Sequence, residues 1–139
     1  YNLCSIYLNA EYVERDITKA IHYLTIAANQ NHMGAQYNLC SIYLNAEYVE
    51  RDINKVIHYC TLAANQNLKN AQYLLGRIYY DGIYFRQDIT KSIYYFTLAA
   101  NQNHDDAQFY LGYIYYTSYY CRTRYKESHL LLHFGFKSK

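Results

Sequence analysis

Proline and tryptophan are both absent from the 139 residues. A chain of this length without proline suits helices joined by turns that rely on other residues. No run of eighteen apolar residues occurs, which excludes a membrane-spanning helix. There is no signal peptide and no initiating methionine, and the chain opens inside a pattern, so it is expected to be part of a longer protein. Paired Cys-x-x-Cys motifs, a glycine-rich phosphate loop and a nucleophile elbow are all missing. Neither a metal, a cofactor nor an enzymatic activity is therefore expected. The net charge of +2 favours no charged partner.

What is present in excess is tyrosine, 21 residues of it. Its hydroxyl needs a partner or water, so many of these rings must lie at half-buried or exposed positions. Charge is unevenly placed. Arg122, Arg124, Lys126, Lys137 and Lys139 stand in the last twenty residues against one acid, Glu127. Interleaved with Tyr119, Tyr120 and Tyr125, this stretch has a mixture suited to nucleic acid. A solvated end explains it better, and no specific nucleic-acid partner is expected.

The dominant feature is repetition. Residues 1–36 and 37–72 differ at only seven of 36 positions, residues 73–108 keep the same frame, and residues 109–139 begin a fourth copy and then drift into a basic tail. The string Ala-Ala-Asn-Gln-Asn starts at Ala27, Ala63 and Ala99, 36 residues apart. Each copy reads as two helices. In the second copy the first helix spans about Met33 to Asn45, with Ala35, Leu39, Ile42 and Tyr43 on one face. A loop over 46–51 follows. The second helix opens at Asp52, matched by Asp16 and Asp88, where an aspartate caps the free N–H groups. It closes at Asn67, matched by Asn31 and Asn103, since asparagine tolerates the left-handed conformation. One pair cannot bury its own apolar face, so the copies must stack into an all-α solenoid of antiparallel helix pairs.

Ala71, Leu75, Gly76, Tyr79 and Gly82, then Phe85, Asp88, Lys91, Ser92, Ala99 and Ala100, form a pattern that resembles the Sel-1-like repeat, a relative of the tetratricopeptide repeat. The first two copies meet it with Ala35, Leu39, Tyr43, Val49, Asp52, Lys55, Ala63 and Ala64. The resemblance implies a right-handed α-α superhelix and an adaptor role in assembling protein complexes. Copies one and two depart from it, with Cys4 and Cys40 at the first glycine and Ala10 and Ala46 at the second. After Tyr120 the Asp-Ile-Thr-Lys start of a second helix is lost. His129–Phe134 is expected to fold as a degenerate second helix that caps the stack, with outright loss of the repeat as the alternative.

By analogy with the related repeats, first helices line the concave face. That places Tyr37, Tyr73 and Phe109 in one row, Arg77 and Tyr113 a turn on, and Tyr80 and Tyr116 beyond, with Asn45 and Asp81 beside them. Tyrosine and arginine carry protein interfaces because they bury area and keep a polar handle. These nine residues are the expected binding surface for a protein or peptide partner. The alternatives are that such rings pack between repeats, and that the segment is a spacer in a longer array. Cys40 falls in the middle of the first helix and Cys60 in the middle of the second helix of one repeat, which allows them to lie close. Some secreted bacterial members of the resembled family staple each helix pair with a disulfide, but Leu24 stands at the position that would partner Cys4, and the irregular pattern favours reduced thiols and a cytoplasmic setting. His22 with His58, and His32 with His104, are explained by the period, and His129 with His133 lacks a third metal ligand.

Overall fold

The computed structural model describes residues 10–135, with side chains from Asp16 to Phe134. Six helices fill the described residues: α1 (Ala10–Asn29), α2 (Met33–Asn45), α3 (Ile53–Asn65), α4 (Lys69–Asp81), α5 (Ile89–Ala100) and α6 (Asp105–Gly135). Each packs on its neighbours in chain order, and α4 also touches α6. First helices therefore begin at Met33, Lys69 and Asp105, one 36-residue period apart. Tyr1, Cys4, Ser5 and Leu8 lie outside the described residues.

The punctuation of the helices follows the expected chemistry in the middle of the chain. Asp52 and Asp88 accept from the backbone N–H of Lys55 and Lys91 at 3.2 and 3.0 Å. Asn31, Asn67 and Asn103 all have positive φ, between 60° and 69°. At each, the asparagine N–H donates to the second alanine of the Ala-Ala pair and the next residue's N–H donates to the first. That double bond is the Schellman closure, so the repeated string is a helix stop. The first helices end in a left-handed residue as well, Ala46 (φ 51°) or Gly82 (φ 61°). Arg51 and Gln87 then reach back and donate to the carbonyls of Leu44 and Tyr80.

Two devices were not visible in the pattern. His32 and His104 are N-caps, with Nδ1 accepting from Ala35 and Ala107 at 3.1 and 3.3 Å, while Leu68 at the same place offers no side-chain cap. The glutamines form a ladder. Gln66 Nε2 donates to Gln36 Oε1 at 2.7 Å and Gln102 Nε2 to Gln72 Oε1 at 2.8 Å. Gln36 and Gln72 in turn donate to the carbonyls of Ala28 and Ala64. Both are buried, so each rung saves an amide that would cost about 1–3 kcal/mol unpaired.

The core is a row of small and branched side chains: Leu39, Cys40, Val56, Cys60, Leu75 and Phe96 are fully buried. Each large one contributes about 1.5–3 kcal/mol. Gly76 sets the closest approach. A Cβ there would stand 2.5 Å from Phe96 Cδ1, and the Ser92 hydroxyl donates to the Gly76 carbonyl at 2.9 Å. Tyrosines fill the seam within each pair: Tyr43 stacks on Tyr59 at 6.4 Å and Tyr79 on Tyr95 at 5.9 Å.

Both ends of the chain differ from expectation. Asp16 is not a cap, because it sits inside the continuous helix α1. The seven residues 10–16 recur at 46–52, where they bend, so what surrounds the segment, and not its own composition, keeps it helical here. The tail does not fold back as a capping helix either. Residues 118–135 prolong α6 into one helix of 31 residues, about 46 Å long. Ser118 stands where Gly82 bends the third repeat, and Arg124 replaces the cap Asp88. With neither a left-handed residue nor an N-cap, nothing interrupts the helix.

Candidate functional site

The seam between the first helices of repeats two and three opens into a groove of about 440 Å³. Four of the nine expected binding residues line it: Asn45, Tyr73, Arg77 and Asp81. Leu44, Leu74 and Ile78 supply an apolar floor, and Arg51, Ile83 and Tyr84 enter from the loops. The last three were missed from the sequence because they follow the helix ends. Left-handed Gly82 turns Ile83 and Tyr84 toward the seam, and Arg51 lies over the Tyr84 ring at 5.4 Å.

Arg77 organises the groove. Its guanidinium donates to Tyr73 Oη at 3.3 Å and pairs with Asp81 at 3.1 Å, and it lies over the Tyr110 ring at 5.0 Å. Burial opposes its charge, and the Tyr73 hydroxyl and Asp81 carboxylate outweigh that, so its pKa stands above the ordinary arginine value. The Arg77 Nε is buried and has no protein partner. One repeat back, the equivalent hollow is about 210 Å³, with Ser41 in place of Arg77 and Glu47 in place of Ile83. Asn45 borders both hollows.

The other expected residues divide between packing and surface. Tyr37 is half-buried; burial, then the nearby Cys60 and Cys40, raise its pKa. Tyr73 stacks on His104 at 4.4 Å and tilts against Phe96 and Tyr110. Tyr80 packs on Phe96 and edge-on to Tyr110, and burial raises its pKa. Tyr73 and Tyr80 thus belong largely to the contacts between repeats, while Tyr37 lies against Cys40 and Cys60 of its own repeat. Phe109, Tyr113 and Tyr116 are exposed on α6, the first two stacked at 6.3 Å.

Cys40, Cys60 and Cys121 are free. A hydrogen bond with Cys40 and burial push the Cys60 thiol well above its ordinary pKa, and its Sγ donates to the Ala71 carbonyl at 3.3 Å. Cys40 and Cys60 are thus core residues with unreactive thiols. Among the described residues, one trio could hold a metal: His104, Asp105 and Asp106, with ligand atoms within 4.8 Å. His104 Nδ1 is already used as the cap of α6, and the acids suit the positive end of that helix.

Comparison with known proteins agrees with this architecture. The Sel1 repeat model matches residues 1–32, 34–68, 69–104 and 105–123. A protective antigen of uropathogenic Escherichia coli strains with an SLR fold is 26% identical, with a TM-score of 0.67 over 70% of this chain. This chain spans 21% of that protein's length. A Sel1 repeat protein from Oxalobacter formigenes is 30% identical, with a TM-score of 0.62 over 75% of each chain. No curated protein sequence matches the chain. No helix among the described residues is long and apolar enough to cross a membrane. The right-handed solenoid of Sel1 repeats is in general a protein-interaction scaffold, and this chain belongs to the Sel1 repeat family.

Proposed function

We propose that the chain is a non-catalytic scaffold that binds a protein segment, peptide or helix, in the groove between α2 and α4. The observation that carries this reading is the pairing of an apolar floor with two guanidinium groups, Arg51 and Arg77, at a seam of first helices. Arg77 is pre-positioned by Tyr73 and Asp81, so little side-chain freedom is lost when a partner docks. Asn45 and Asp81 flank the groove one repeat apart and offer hydrogen bonds to a backbone.

The test is affinity capture followed by crosslinking, with native chain beside an Arg77→Ala, Asn45→Ala double variant of unchanged circular dichroism. Capture lost in the variant, with crosslinks at the α2–α4 seam, supports the groove. Equal capture by both chains rejects it.

A further inference from the structure

The third repeat shows how a Sel1 pair closes, and the fourth carries the same parts unassembled. In repeat three, Phe96 of α5 seats on Gly76 between Tyr73 and Tyr80, and Ser92 donates to the Gly76 carbonyl. One period on, α6 presents Gly112 between Phe109 and Tyr116, which are 66% and 64% exposed. A Cβ on Gly112 would meet nothing within 4 Å. The matching plug also exists. Ser128 and Leu132 stand 36 residues after Ser92 and Phe96. Leu132 is 62% exposed, and the Ser128 hydroxyl donates to its own helix at Arg124. Socket and plug share one straight helix, so the plug cannot reach its own socket.

We infer that the Gly112 notch is an interaction site for a second copy of this chain, filled by that copy's Tyr125–Phe134 segment with Leu132 over Gly112 and Ser128 at its carbonyl. The contact between α5 and α4 supplies the geometry. Twenty residues at about 3.6 per turn place Leu132 roughly 200° round the helix from Gly112. The two surfaces face opposite ways, so the pair cannot be a two-fold exchange. The contact is heterologous, one copy's plug in the next copy's socket, and copies add in succession. A single helix in a notch is a small interface, so association is expected near roughly 100 µM.

Sedimentation of the full chain across concentration tests this, with two variants. Gly112→Leu fills the socket and spares the plug; Leu132→Asp spoils the plug and spares the socket. The native chain should form dimers and longer species. Each variant alone should associate about tenfold more weakly or not at all, and both should keep native circular dichroism. Mixed in equal amounts, they should form a heterodimer that does not grow. A native chain that stays monomeric at every concentration overturns the proposal. So does association untouched by either substitution, or a mixture that stays monomeric. Leu132→Asp lies on an exposed surface, so it remains informative should Gly112→Leu disturb the fold.

Discussion

The first 17 residues of repeats one and two are identical, Tyr1–Ile17 and Tyr37–Ile53, yet their shared Ala-Glu-Tyr-Val-Glu-Arg-Asp segment has two structures. At 10–16 it is helix; at 46–52 it is a left-handed bend and a loop that ends in an N-cap. Identical residues exclude any local cause. In repeat two the bend belongs to a closed helix pair, α2 with α3, that is packed on both sides, by α1 and by α4. A left-handed alanine costs roughly 1 kcal/mol, so without such packing helix is the cheaper state. Repeat four also runs straight, but for a different reason. There the bend residue and the cap are gone, as Ser118 and Arg124 show. One straight helix is thus decided by context and the other by composition.

Six substitutions sharpen this contrast, each read by chemical denaturation. Gly76→Ala should cost about 2–3 kcal/mol by driving a methyl into Phe96. Gly112→Ala should instead stabilise by up to about 1 kcal/mol, since its site is open and alanine favours helix. Equal effects at the two glycines would mean that repeat four is closed in solution. Gln102→Ala should cost about 1–2 kcal/mol, because Gln72 Oε1 loses its partner in a buried setting. Asp52→Ala should cost about 1 kcal/mol, while Asp16→Ala should stay within about 0.5 kcal/mol. A full cap loss at Asp16 would show that repeat one bends as repeat two does. Ala46→Gly should stabilise by about 0.5–1 kcal/mol by relieving the left-handed alanine.

Much of the interior fold was legible because helix period, aspartate caps and asparagine stops agree in one frame. Met33–Asn45 appears at the expected bounds, and Asp52 and Asp88 cap as read. The ends were not legible, since a motif such as the aspartate of Asp16 reports what a turn needs and not whether neighbours hold it. The candidate site was legible in part. Arg77, Asp81, Asn45 and Tyr73 meet at one groove because they share a face of successive first helices. Tyr73 and Tyr80 show the limit, because rings expected to face outward on one helix are largely covered by the packing against Phe96 and against Tyr110 of the next repeat. Arg51 and Tyr84 sit in loops, where no period predicts direction. The glutamine rungs went unread because nothing in a helical pattern marks a polar residue as buried.

The glutamine ladder has a consequence for how such proteins change length. Gln36, Gln72 and their donors Gln66 and Gln102 are donor and acceptor of the same joint, and one unit encodes both. A unit copied in tandem arrives with a matching surface for the copy before it and another for the copy after it. Duplication can lengthen the array without any new interface having to evolve, and the near-identity of the first two units is what such growth leaves behind.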